Sequence, residues 1–135
     1  MEDIVKLTGD QIPKPLLEIP QPPKQLYLRG KLPSPDLIYL AVVGSRNFTT
    51  YGKEACQKLI AGLKGYPIVI VSGLAMGIDT IAHRAALSAG LITMCMPGSG
   101  LDNNVIHPKQ NVKLAQEIVD AGGCLISELE PDWKA

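Results

Sequence analysis

The chain has 135 residues, of which 46% are hydrophobic and 19% charged, enough for one domain around a single core and too apolar for a disordered or acidic-tail protein. With 4% aromatic residues, packing must rest on Val, Ile, Leu and Ala. Thirteen basic side chains balance thirteen acidic ones, which removes any whole-molecule attraction for nucleic acid or anionic membrane, so a polyanion site has to be local.

Cys56, Cys95 and Cys124 are odd in number and widely spaced, which suggests reduced, buried thiols rather than a disulfide framework or a zinc knuckle. Met1 is followed by acidic Glu2 and Asp3 rather than a basic signal region, and no apolar run approaches the roughly 18 residues that a membrane span needs. No membrane association, metal or cofactor is implied, and the cytoplasm is the expected compartment.

Seven of the eleven prolines, Pro13, Pro15, Pro20, Pro22, Pro23, Pro33 and Pro35, fall in the first 35 residues. Each fixes its own φ and pushes its predecessor toward extended geometry. Residues 1–36 therefore read as an extended, non-helical arm, frayed to about residue 11, with a short edge strand at Leu26–Gly30. Residues 37–135 read as an α/β domain in which apolar runs alternate with helical patterns. The strand Ile38–Val43 is nearly all apolar, as if covered on both faces. Thr49 or Thr50 can cap a helix over 51–64 that carries Ala55, Leu59, Ile60 and Leu63 at helical spacing. Then come a strand at Ile68–Val71, a helix at Ile78–Ala89, a strand at Leu91–Met96, a helix at Lys109–Ala121 and a strand at Cys124–Ser127. The expected architecture is a Rossmann-like, three-layer α/β fold with a mainly parallel sheet.

In such a sheet the carboxyl ends of parallel strands share one side, so Gly44-Ser45-Arg46, the loop from Ser72-Gly73 to Gly77 and Gly98-Ser99-Gly100 should gather on one rim. Glycine admits a phosphate to backbone N–H groups, and the following helix adds its positive dipole end. The second loop lacks the third glycine of a dinucleotide fingerprint, and no Gly-Lys-Ser/Thr is present, which disfavours NAD binding and ATP hydrolysis.

These residues carry a resemblance. Val42–Arg46, Thr50–Gly52, Val71–Asp79 with Ala82-His83 and Ala86-Leu87, Gly98–Leu101, His107–Asn111 and Ile126–Glu128 resemble the DNA-processing protein A (DprA/Smf) family. Leu16–Ile19 and Pro22–Gly30 extend the similarity, which runs from about Pro15 to Pro131. It implies a Rossmann-like domain, incomplete at its C-terminal side, in a non-enzymatic protein. Such a protein binds and protects single-stranded DNA, helps load a RecA-type recombinase in natural transformation, and acts as a homodimer. By motif, the DNA contacts would be Arg46 and the backbone of the Ser72–Asp79 loop. Where the family commonly has a basic residue between Ala75 and Gly77, this chain has Met76.

The candidate phosphate-binding set is therefore Gly44, Ser45, Arg46, Ser72, Gly73, Gly77, Gly98, Ser99, Gly100 and Lys109, with Phe48 and Tyr51 as candidates for base stacking. For Arg46 the competing reading is a surface arginine over a helix end; for Phe48 and Tyr51 it is hydrophobic anchoring of that helix. Asp79 suits a helix first turn better than catalysis, and His83 suits hydrogen-bonded packing. Ser45, Ser72 and Ser99 lie in no nucleophile elbow. A second class of function, a nucleotide-binding or phosphoribohydrolase-like Rossmann protein, finds only a partial echo in Pro97–Gly100. A third is a non-binding chain whose open sheet edge pairs with another subunit.

Overall fold

The computed structural model of the protein describes residues 2–135. Its strands are β1 (Ile4–Thr8), β2 (Gln25–Gly30), β3 (Ile38–Ala41), β4 (Ile68–Ser72), β5 (Ile92–Cys95) and β6 (Cys124–Ser127). They form one six-stranded sheet in the order β1-β2-β6-β5-β4-β3. The pairs from β3 through β4 and β5 to β6 are parallel, while β2 runs antiparallel to both β6 and β1. The helices are a single turn α1 (Lys14–Leu17), then α2 (Thr50–Ala61), α3 (Ile78–Ser88) and α4 (Val112–Asp120).

Because the parallel strands follow one another in sequence order, right-handed crossovers put α2, α3 and α4 on the same face. The alternation of side chains along each strand shows it. Ile70 packs with Cys56 and Ile60 of α2 and Ala82 and Ala86 of α3. Cys95 and Leu125 pack with Leu114, Ala115 and Ile118 of α4. Their neighbours Val69, Met94, Cys124 and Ile126 point the other way, against Leu7, Ile12, Leu16, Leu32 and Leu37. The third layer is thus the proline-rich N-terminal segment.

Local signals explain the helix ends. The Thr49 hydroxyl accepts from the Gly52 amide at 3.0 Å and caps α2. The stretch read as one helix from Lys109 is a 3-10 turn at Lys109–Asn111 that passes into α4.

Four expectations are corrected. Residues 4–8 are not frayed: Leu7 is buried, and the strand pairs in register from Ile4 opposite Arg29 to Thr8 opposite Gln25. That extra strand makes β2 an interior strand rather than an edge. The arm also contains helical turns, at Gly9–Gln11 and α1, the latter begun by Pro13 and Pro15 at positions where a missing N–H costs nothing. Finally, β3 ends at Ala41 and is exposed along its whole length rather than covered on both faces, because only β4 lies beside it and the N-terminal segment meets it at Tyr39, whose hydroxyl donates to the Pro33 and Ser34 carbonyls, without covering it.

Candidate functional site

The first two glycine loops interlock at the carboxyl ends of β3 and β4. The Ile78 amide, at the head of α3, donates to the Ser45 carbonyl at 3.1 Å. Gly77 has φ +90°, and a Cβ there would collide with the backbone of Ser45 and Arg46. A Cβ on Gly44 would lie 2.8 Å from the Ile78 side chain. Both glycines are thus required by close approach and, at Gly77, by backbone angle.

Asp79 binds these loops together. Its Oδ2 accepts from the Gly73 amide at 3.1 Å and its Oδ1 from the Gly44 amide at 3.4 Å, with the residue itself buried. The carboxylate occupies the positive end of α3, as expected, but its partners are two loop glycines 35 and 6 residues away in sequence. An internal anion therefore already sits on two amides of the candidate set.

Other amides on this rim are open: those of Ser45, Arg46, Ala75 and Met76 meet no acceptor among the described residues, whereas Gly77 is buried against the Ser45–Arg46 backbone. Arg46 is exposed, and no carboxylate pairs with it among the described residues. Apolar side chains fringe it, with Phe48 45%, Tyr51 80%, Met76 42% and Met96 38% exposed. Met76 stands at the loop position where the family commonly has a basic residue, whereas the exposure of Met96 comes from loop placement that composition does not reveal.

The Gly73–Gly77 loop contains one strained residue. Leu74 adopts φ +69° with its side chain fully buried, a conformation costly for a residue with a Cβ. It is held from outside the loop. Asn111 Nδ2 donates to the Leu74 carbonyl at 2.8 Å and to Thr80 Oγ1 at 2.9 Å. Asn111 belongs to the quoted His107–Asn111 segment, yet its role depends on a partner 37 residues earlier and left no mark in local pattern.

The third loop is adjacent but more enclosed. The Met96 amide donates to the Ser72 carbonyl at 2.9 Å, which places it beside the second loop. Ser72 itself is buried. Ser99 is fully buried, its hydroxyl donating to the Gly100 carbonyl and accepting from the His107 amide. The Gly100 amide donates to the Trp133 carbonyl at 2.9 Å, so residues 130–133 lie across this turn. Gly98 remains exposed, and Lys109 is exposed at the start of its 3-10 turn. The structure thus brings Gly44, Ser45, Arg46, Gly73 and Gly77 together and places Ser99 and Gly100 beneath the C-terminal residues. Lys53 is exposed near the start of α2, whereas Arg84, on the body of α3, is 3.5 Å from Glu117.

Groups capable of other chemistry are committed to the interior. His83 is fully buried, its Nδ1 2.7 Å from Thr93 Oγ1, and that hydroxyl donates to the Ile70 carbonyl. Nδ1 must then carry the proton. Burial pushes the imidazole down to about 4. Burial also pushes the Cys124 thiol up to about 12 and the Cys95 thiol well above its ordinary value, far from thiolate chemistry. Among the described residues no group of three or more His, Cys, Asp or Glu could hold a metal ion, and no helix is long and apolar enough to cross a membrane.

A family model for DNA recombination-mediator protein A matches residues 3–135. Protein Smf of Escherichia coli is 38% identical over 129 residues, covering 96% of this chain and 34% of its own length. The DNA processing protein DprA of Streptococcus pneumoniae is 42% identical over 125 residues, covering 93% and 43%. The crystal structure of DprA from Streptococcus pneumoniae superposes with a TM-score of 0.83 at 36% identity, covering 98% of this chain and 46% of that one. DprA from Helicobacter pylori, whose structure is described for its single-stranded DNA binding mode, gives 0.82 at 34%, covering 96% and 57%. The chain spans between a third and a half of the length of these two curated relatives. The phosphoribohydrolase-like alternative gains no support from these matches.

Proposed function

The chain belongs to the DNA recombination-mediator protein A family, and from that premise we propose that its glycine rim binds the sugar–phosphate backbone of single-stranded DNA. One observation carries this reading: Arg46 stands exposed and unpaired beside the open amides of Ser45, Arg46, Ala75 and Met76, on loops interlocked through Ile78 and Asp79. A guanidinium clamps a phosphate with two parallel bonds, and exposed N–H groups receive its neighbours. Phe48 and Tyr51 supply faces on which bases stack without regard to sequence. Gly98 and Lys109 extend the track.

No bond is broken in this role. The protein shields the strand and passes it to a RecA-type recombinase during DNA uptake in the cytoplasm, working as a homodimer. The neutral whole-molecule charge makes binding by one copy weak and dependent on a few local contacts. Counting Arg46, Lys53 and Lys109, the log-log dependence of affinity on salt should be no steeper than about −2, at roughly −0.7 per phosphate on a single strand.

The test is fluorescence anisotropy of labelled oligo-dT at several salt concentrations, with Arg46→Ala alongside. The variant should bind about tenfold more weakly, the usual effect of losing one charge-assisted contact, and the oligonucleotide should be recovered intact. Equal binding by parent and variant would end the reading. Free base released from AMP would favour the phosphoribohydrolase class instead.

A further inference from the structure

Asn111 stands at the N-cap position of α4, where an asparagine side chain ordinarily accepts from the first turn of its own helix. It makes no such bond. Its amide group instead reaches Leu74 O and Thr80 Oγ1, and the residue is 4% exposed. A capping interaction has been given up for two contacts to a loop in another part of the sequence.

Those contacts have a directional effect. In a trans peptide the C=O and the following N–H point in opposite directions, and neither peptide bond of the Leu74–Met76 stretch is cis. Asn111 draws the Leu74 carbonyl inward, which turns the Ala75 N–H away from the interior. Thr80, whose hydroxyl accepts from Asn111, donates that hydroxyl to the Ala75 carbonyl at 2.7 Å and its amide to the same oxygen at 3.1 Å. The Met76 N–H is thereby turned away from α3. These are two of the open amides of the rim.

We infer that Asn111, acting through Leu74 and Thr80, is a positioning residue that aims the Ala75 and Met76 amides outward as donors to a phosphodiester. This rests on the DNA-binding reading for its ligand, whereas the geometry it requires is independent of it. Asn111 touches no nucleic acid itself, so its substitution acts by releasing Leu74 from its left-handed conformation.

The experiment compares Asn111→Ala, Thr80→Val, Thr80→Ser and Leu26→Ala, the last a core change in β2 that lowers stability in a cluster to which Leu74 does not belong. Two quantities are read at matched stability in urea: the affinity for labelled oligo-dT, and the Leu74 HN–Hα coupling, which reports its φ. Asn111→Ala and Thr80→Val should each weaken binding about tenfold, the effect of one lost donor, and shift the coupling. Thr80→Ser keeps the hydroxyl and should match the parent, as should Leu26→Ala. An unchanged coupling in both Asn111→Ala and Thr80→Val overturns the inference, as does equal loss of affinity in Leu26→Ala. If the parent fails to bind oligo-dT, the DNA reading falls, and the coupling alone decides whether Asn111 positions the loop.

Discussion

β6 and β3 are both four-residue strands of largely apolar composition, Cys124–Ser127 and Ile38–Ala41, yet every residue of the first is buried and every residue of the second exposed. β6 lies between β2 and β5, under α4 on one face and the N-terminal layer on the other. β3 has one neighbour and lies at the end of the sheet. Topological position, rather than hydrophobicity, sets burial here. The difference extends to chemistry: the closed end holds the buried guanidinium of Arg29, and the open end carries the exposed one of Arg46.

The closed end should therefore show the largest response. Arg29 on β2 is fully buried and donates to Glu2 at 2.6 Å, Gln116 at 2.7 Å, Asn103 at 2.8 Å and the Leu101 carbonyl at 3.1 Å. It joins Glu2 just ahead of β1, the segment that follows the third glycine loop, and α4 at one point. Burial works to raise the Glu2 carboxyl, but the Arg29 and Gln116 hydrogen bonds outweigh it and hold that group below its ordinary range. Arg29→Ala leaves these acceptors without their donor and should cost about 3–5 kcal/mol in urea unfolding. A loss under about 1 kcal/mol would show that the packing of α4, rather than the guanidinium, holds this end.

Between the two ends sits His83, and its effect is read in pH. Burial is the main cause of its low value, and Asp79 one turn earlier pulls weakly the other way. Between its ordinary 6.5 and about 4, the unfolded chain takes up a proton that the folded chain refuses. Stability is thus undiminished by this group above pH 6.5 and falls as the pH drops through that window, by about 3 kcal/mol at pH 4. His83→Gln should flatten the profile between those limits. An equally steep decline in the variant would assign the acid response to the carboxylates.

Nearer the open end, Asp79→Asn removes a carboxylate from two loop amides and from the head of α3. The expected cost is about 1–2 kcal/mol, as one N–H acceptor and a favourable dipole interaction are lost together. Hydrogen exchange at Gly44 and Gly73 should accelerate more than at Ile70 in the core of β4. Uniform acceleration would show that Asp79 stabilises the whole fold rather than joining the loops.

What could be read from sequence divides along the same line. The strand-loop-helix units from β4 onward are local patterns of period 2 and 3.6 closed by glycine, so their order and the capping role of Thr49 followed from neighbours in the chain. The strand at Ile4–Thr8 was hidden because Lys6 interrupts its apolar run and its partner β2 lies about twenty residues on. The exposure of β3 depends on which strand occupies the sheet end. At the site, Gly44, Arg46 and Gly77 were visible as motif residues, whereas the Asp79 bond to Gly44 and the Asn111 bond to Leu74 span 35 and 37 residues. Periodicity carries no information about pairings of that length.

The smallest expected effect bears most directly on the contrast between the strands. Ile38, 59% exposed on β3, and Ile126, 3% exposed on β6, permit one chemical change in two environments. Threonine keeps the β-branch, so strand preference changes little and burial decides the outcome. Ile126→Thr puts a hydroxyl into close packing and removes methylene contacts, a loss several times that at the sheet end. Ile38→Thr exchanges apolar surface already in water for a polar group and should stay within about 0.5 kcal/mol of the parent. A substantial loss at Ile38 would mean that β3 is covered in solution, for instance by the second copy of a homodimer. Repeating the measurement across protein concentrations would then separate that contact from the fold of a single chain.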